Sequence, residues 1–170
     1  MDDRAIVEAQ IGRPPRSVTN AAERCHLGLP VVIEVPPLLD DGTPFPTLYW
    51  LTCPLASKRI GRVEAAGGVR TAEQMLVDDP DMQAIHDGAM DRYRNEREAL
   101  IPDGYEGPRP TGGVGGTRAG VKCLHAHYAD TAAGNENPVG AVVAAWIEPL
   151  NCTTPCVVDD ARNPLWEEPE

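Results

Sequence analysis

Two runs, Val31-Val32-Ile33-Glu34-Val35 and Thr47-Leu48-Tyr49-Trp50-Leu51-Thr52, decide the fold. Both are rich in β-branched and aromatic residues, which favour strands. Between them lies Asp40-Asp41-Gly42-Thr43, a composition typical of turns because Gly reaches positive φ and Asp bonds to the local backbone. These segments predict an antiparallel hairpin over about residues 31–52.

Segments with the apolar spacing of helices surround this hairpin. They cover residues 3–11, 54–66, 71–79, 81–100, 121–133 and 138–147. Residues 17–23 are a candidate third strand. The pattern predicts a single α+β domain over residues 1–150, in which a small antiparallel sheet is covered by four to five helices. The acidic, proline-bearing segment 151–170 is predicted to be a flexible tail.

Composition narrows the functional class. The chain has 170 residues, and its net charge of −11 argues against general nucleic-acid binding and against adsorption to a membrane surface. No apolar run is long enough to span a bilayer, and the first residues do not resemble a secretion signal, so we expect a cytoplasmic protein. Residues 71–106 carry 10 acids and 3 arginines, which is typical of a solvated helix face or, alternatively, of a docking surface for a basic partner.

Cysteine and histidine residues suggest a metal site. The hairpin brings its ends together, and Cys25 and Cys53 lie near those ends. On a helix, Cys123 and His127 would share one face because they are four residues apart, whereas His125 would point elsewhere. Three thiolates and an imidazole suit tetrahedral zinc, so the predicted metal ligands are Cys25, Cys53, Cys123 and His127. His26 and His125 are possible substitutes, and the alternative is that the cysteines are small buried hydrophobic residues.

A second hypothesis makes Cys123 a catalytic nucleophile. The glycine-rich segment 112–120 leads into a predicted helix that begins near Lys122 and Cys123. A helix N-terminus and a nearby lysine attract anions and favour a thiolate, and His125 or His127 could act as the base. The chain would then hydrolyse a phosphorylated or acyl substrate, with Lys122 and His125 as ligand-binding residues.

A stiff arginine-bearing segment, Gly12-Arg13-Pro14-Pro15-Arg16, precedes the hairpin. Arg13 and Arg16 are candidate binding residues for an anionic ligand. The simpler alternative is an extended arm on the protein surface.

An ordered set of motifs resembles an actinobacterial family called domain of unknown function 501. The resemblance covers residues 12–148, and its motifs are Gly12–Arg16, Arg24-Cys25 with Gly28 and Pro30, Pro44–Tyr49, Leu51–Pro54, Val121–Ala126 and Asn137–Gly140. The genes of that family often lie beside those of a septum-formation protein and an exopolyphosphatase. The resemblance therefore implies a housekeeping protein linked to cell division or phosphate metabolism.

Three functions thus remain open at the level of sequence. The leading hypothesis is a zinc-binding domain in which the Cys/His cluster is structural. The others are a cysteine-dependent hydrolase that uses Cys123, and an acidic adaptor that docks a basic protein through residues 71–106.

Overall fold

The computed structural model describes residues 3–169. Six α-helices lie within this range: α1 (Asp3–Ile11), α2 (Pro54–Ala65), α3 (Gly68–Asp78), α4 (Pro80–Ala99), α5 (Leu124–Ala132) and α6 (Pro138–Ile147). Its strands are β1 (Asn20–Arg24), β2 (Pro30–Glu34), β3 (Tyr49–Leu51), β4 (Val157–Val158) and β5 (Ala161–Arg162). The predicted α+β class is confirmed.

The first three strands form an antiparallel sheet in the order β1-β2-β3. Ile33 pairs with Trp50 and Val32 with Leu51, so the predicted hairpin is present. The candidate third strand is also present as β1, which pairs with the other side of β2. β2 is the central strand of this sheet. Because successive side chains of a strand point to opposite faces, Val32 and Ile33 are buried on the two different faces of the sheet.

The core lies on both faces of this sheet. On one face, Val32 and Leu51 join a large cluster with residues of α2, α3, α5 and α6. On the other face, Ile33 packs with Val7 of α1. The sheet is therefore enclosed by helices, and α5 runs beside β2 and β3.

Local chemistry sets the ends of the helices. Asp79 caps α4 by accepting hydrogen bonds from the backbone N–H groups of Asp81 and Met82, both at 3.0 Å. Asn137 caps α6 in the same way by accepting from Gly140 at 3.0 Å. The helix predicted over 121–133 begins only at Leu124, because Cys123 has extended backbone angles (φ −153°, ψ 123°) and serves as its N-cap.

Two less regular segments complete the molecule. Residues 102–120 form a loop with one short 3₁₀ turn at Val114–Gly116. After α6 the chain forms the β4–β5 hairpin, where Val157 is buried with Ile6 and Leu29. This describes where the segment lies and not how much it moves, so the flexibility predicted for residues 151–170 stays a prediction. Within the described residues, no helix combines the length and the apolar character needed to cross a membrane.

Candidate functional site

A cluster of three potential metal ligands lies where α2 meets the start of α5. The Sγ atom of Cys123 is 3.7 Å from Nδ1 of His125, and that nitrogen is 3.2 Å from Oε1 of Glu64. Within residues 3–169, this is the one set of three His, Cys, Asp or Glu side chains whose ligand atoms all lie within 4.8 Å of one another. All three side chains are half-buried.

The extended backbone of Cys123 explains why the cluster contains His125. In a continuous helix, residues two positions apart point in different directions. Since Cys123 lies before the first helical residue, its side chain is free of that register and turns toward His125. The predicted orientation of His125 away from Cys123 assumed a helix that began at residue 121.

Neighbouring backbone groups hold the cluster in place. The ring nitrogen Nε2 of His125 lies 3.2 Å from the carbonyl oxygen of Ser57, so it donates its hydrogen there and directs Nδ1 toward Cys123 and Glu64. Glu64 Oε1 accepts the backbone N–H of Leu124 at 2.7 Å. That contact also caps the start of α5. The Leu124 N–H is therefore already used, although the sequence predicts that the start of this helix binds a phosphate.

The environment favours a charged His125. The hydrogen bond with Cys123 is the main cause that raises the pKa of His125, to about 9, and the nearby carboxylate of Glu64 adds to it, while burial acts in the opposite direction. Nδ1 of His125 thus faces both the Cys123 sulfur and the Glu64 carboxylate, which favour the imidazolium.

Cys123 and His125 line an open cleft of about 580 Å³. Its other walls come from the end of α1, from β3 and from the start of α2. The lining residues are Gln10, Ile11, Arg13, Thr47, Tyr49, Trp50, Leu51, Thr52, Pro54, Ser57, Gly115, Lys122 and Ala126. The volume lies within the range of about 300–1,000 Å³ that is typical of small-molecule sites.

His127, the histidine predicted as a metal ligand, lies elsewhere. It is buried, and its Nδ1 is 3.1 Å from Oδ1 of Asn137. Its ring stacks on that of His86 at 5.4 Å between centroids. Burial lowers the pKa of His127 to about 4, so the side chain is neutral. His127 thus belongs to the contact between α4, α5 and α6 and not to the Cys123 cluster.

The other four cysteines group together at a different place. Cys53 is buried in the main core, and Cys25 and Cys152 pack against that same core. Cys156 packs with Cys25 against a neighbouring apolar cluster. Burial raises the pKa of Cys53 to about 11, and the proximity of Cys156 and Cys152 adds to it. Of the four predicted zinc ligands, the structure therefore places only Cys123 in the three-ligand cluster.

The predicted anion-binding residues are split between two places. Arg13 and Lys122 both line the cleft. Arg16 lies outside it and pairs with Asp41 at 2.7 Å. Hydrogen bonds from Thr43 and, to a smaller extent, the contact with Arg16 hold the pKa of the Asp41 carboxyl well below its usual range.

Sequence reasoning missed Glu64, which lies 59 positions before Cys123. One signal was available, because Glu64 is the single acid in the otherwise basic and apolar segment 54–66. That signal does not identify a partner, and the contact depends on how α2 packs against α5.

The cluster supports two kinds of chemistry. A thiolate, an imidazole and a carboxylate are ligands that zinc accepts, and three protein ligands leave a fourth position free. Without metal, a thiol beside an imidazole is the arrangement of a cysteine nucleophile and its base.

Comparison with known proteins identifies a family without identifying a reaction. A family model described as "Protein of unknown function (DUF501)" matches residues 21–145. Neither the curated proteins nor the solved structures contain a match to the chain.

Proposed function

We propose a zinc-binding function for this chain, which belongs to the DUF501 family of proteins of unknown function. The ligands are Glu64, Cys123 and His125, and the site lies at the wall of the cleft. This set replaces the predicted set of three cysteines and His127 and retains Cys123 from it.

Two distances carry the proposal. Zinc binds sulfur at about 2.3 Å and nitrogen or oxygen at about 2.0–2.1 Å, so a tetrahedral site separates sulfur from nitrogen by about 3.6 Å and nitrogen from oxygen by about 3.3 Å. The corresponding separations are 3.7 Å between Cys123 Sγ and His125 Nδ1, and 3.2 Å between Nδ1 and Glu64 Oε1. Two of the three separations thus match those of a tetrahedral site, and the third, between Cys123 Sγ and Glu64 Oε1, is within 4.8 Å.

The surrounding groups fit a metal site as well. A histidine that binds a metal usually donates its other ring hydrogen to a carbonyl or carboxylate, which fixes the tautomer. The contact from His125 Nε2 to the Ser57 carbonyl supplies this. Glu64 Oε1 has two lone pairs, and the Leu124 N–H uses only one of them.

The position of the site at a cleft favours a reactive role over the structural role that the sequence suggested. Structural zinc sites are closed by four protein ligands, whereas catalytic sites keep one position open. Zinc with three protein ligands can polarise a carbonyl or phosphoryl oxygen of a substrate. Cys123 and His125 line the cleft, where a substrate would approach.

The test is the zinc content of the full chain, purified without chelator, together with the variants Cys123→Ser, His125→Gln and Cys25→Ser. We expect stoichiometric zinc in the unmodified chain and in Cys25→Ser, and loss of zinc in the other two variants. Far-UV circular dichroism checks that all variants are folded. Zinc that survives in Cys123→Ser, or that disappears in Cys25→Ser, would contradict the proposal.

A second candidate is a cysteine-dependent hydrolase, and the Cys123–His125 pair favours it specifically. The raised pKa of His125, at about 9, reflects how well the imidazolium is stabilised beside this sulfur. A thiolate–imidazolium pair reacts quickly with alkylating reagents. This candidate predicts rapid alkylation of Cys123 in native protein without metal, and a much slower reaction in His125→Gln.

Three further expectations remain proposals. They are a cytoplasmic location, a basic protein partner for residues 71–106, and the link to cell division or phosphate metabolism that the resemblance implies. We propose each of them on the grounds given by the sequence.

A further inference from the structure

The charge of the cleft is opposite to that of the whole chain. The chain has 26 acidic residues and 15 lysines and arginines. Among the described residues that line the cleft, none is Asp or Glu, whereas Arg13 and Lys122 are both present; the nearby Glu64 carboxylate faces His125. A patch of positive charge within an acidic protein concentrates anions locally.

The two long cations differ in how they are held. Within residues 3–169, no hydrogen bond or ion pair engages the ammonium group of Lys122. The Arg13 guanidinium lies over the ring of Trp50, 5.7 Å from its centroid. Contact with an aromatic face orients a guanidinium without using its N–H donors, which stay available for an oxyanion.

The chain supports Arg13 from two sides. Pro14 and Pro15 follow it and restrict the backbone of this segment. On β3, Trp50 stacks on Phe45 at 5.2 Å between ring centroids, which fixes the surface that Arg13 contacts. The guanidinium is therefore held at the cleft before a ligand arrives, which reduces the entropy cost of binding.

Neutral groups complete the cleft. The neutral residues Thr47, Thr52 and Ser57 also line it, and Tyr49, Leu51 and Ala126 add apolar surface. An organic anion would match this composition, with its charged group on the cations and its body on the apolar wall.

We propose that the cleft binds a small organic anion that carries a phosphate or carboxylate group, held by Arg13 and Lys122. This inference deepens the proposed function and rests on it for the reactive end, where the ligand would face Cys123 and His125. Arg13 and Lys122 are binding residues in this scheme, and neither is a metal ligand.

Calorimetric titration of the full chain with inorganic phosphate, pyrophosphate and citrate tests the inference. Each probe is added to chelator-treated protein and to zinc-loaded protein. Comparison of phosphate and pyrophosphate with citrate separates recognition of a phosphate group from recognition of a carboxylate group. We expect saturable binding of at least one probe, weakened about tenfold in Arg13→Gln and in Lys122→Gln, because charge-assisted hydrogen bonds are the strong ones. Arg94→Gln is the matched control, since Arg94 lies on α4 in an exposed ion pair with Asp91.

The outcomes separate this inference from the zinc proposal. Binding that depends on Arg13 and Lys122 in chelator-treated protein supports the inference even if the chain binds no zinc. Zinc loading without binding of any probe overturns the inference and leaves the zinc proposal intact. Two other results also overturn the inference. One is binding that requires zinc and is unchanged by Arg13→Gln and Lys122→Gln. The other is an equal loss of affinity in the control Arg94→Gln.

Discussion

At the scale of single residues, His127 is buried beside His86 and both side chains are 1% exposed. The ring nitrogen Nε2 of His127 and Nδ1 of His86 are buried, and no described group hydrogen-bonds to them. Burial is the main cause that lowers the pKa of each histidine, because the interior stabilises a charged imidazole poorly. Their positive charges would also repel each other across the stacked rings.

This arrangement predicts that the fold loses stability in acid. The pKa of His127 is about 4 in the folded chain against an ordinary value of 6.5, so between these values the unfolded state binds more protons. The free energy of unfolding is therefore fully retained above pH 6.5 and falls as the pH drops toward 4, by about 2 kcal/mol at pH 5 from His127 alone.

Urea unfolding at pH 7.5 and pH 5 measures this effect. His127→Asn is the comparison, since its amide can replace the Nδ1 donor to Asn137 and does not titrate in this range. We expect a smaller difference between the two pH values in the variant, whatever its stability at pH 7.5. An equal pH dependence in both proteins would show that His127 does not titrate on unfolding.

At the scale of elements, Arg97 connects α4 to two loops. Arg97 is 2% exposed, and its guanidinium donates to the carbonyl oxygens of Pro46 at 2.8 Å and Gly112 at 2.6 Å. The second contact anchors the glycine-rich segment in which Gly112 has φ +81°, and a Cβ there would lie 2.4 Å from the carbonyl oxygen of Gly116. Arg97 thus holds the loop that places Gly115 at the cleft.

We predict that Arg97→Met destabilises the chain by about 2–4 kcal/mol, because several buried carbonyl groups lose their donor together. The loop should also become a site of limited proteolysis near residues 112–118. Chemical unfolding and peptide mapping measure the two effects. Arg94→Gln on the exposed side of the same helix is the control, and we expect it to lie within about 0.5 kcal/mol of the unmodified chain. Unchanged cleavage in Arg97→Met would mean that other contacts hold the loop.

The elements also show what sequence can predict. The hairpin is a local feature, and the sequence predicts it because a few adjacent residues determine it. The start of α5 is different, since the Glu64 carboxylate caps it from another helix. The candidate site depends on that distant contact. A helix counted from residue 121 pairs Cys123 with His127, whereas in the structure Cys123 lies beside His125.

At the scale of the whole molecule, the segment after α6 packs against α1 and α2. Arg59 of α2 donates to the carbonyl oxygens of Ile147 and Pro149, both at 2.7 Å. Lys58 lies over the ring of Trp166, 5.0 Å from its centroid. The sequence predicts a flexible tail because this segment is acidic and bears prolines, and its flexibility stays a prediction. Single apolar residues of the segment, such as Val157, nevertheless pack into the core.

Apolar burial, more than charge, should hold this segment. Arg62 forms an ion pair with Glu168, but the Arg62 side chain is 62% exposed, and exposed pairs contribute little to stability. Val157 is 2% exposed between Ile6 and Leu29, and burial of such a side chain contributes about 1.5–3 kcal/mol. High salt should therefore destabilise the packing of this segment much less than a substitution that leaves a cavity at Val157.

We predict that Val157→Ala lowers the free energy of unfolding by about 1–3 kcal/mol and that Arg62→Gln leaves it nearly unchanged. A chain that ends at residue 151 should lose at least as much as Val157→Ala, because it exposes Ile6 and Leu29 as well. Urea unfolding of the three variants at low and high salt measures these differences. If the shortened chain were as stable as the full one, residues 152–170 would be a tail that contributes nothing to the stability of the fold. If high salt destabilised the full chain as much as the truncation does, the ion pairs of the segment would hold it in place instead.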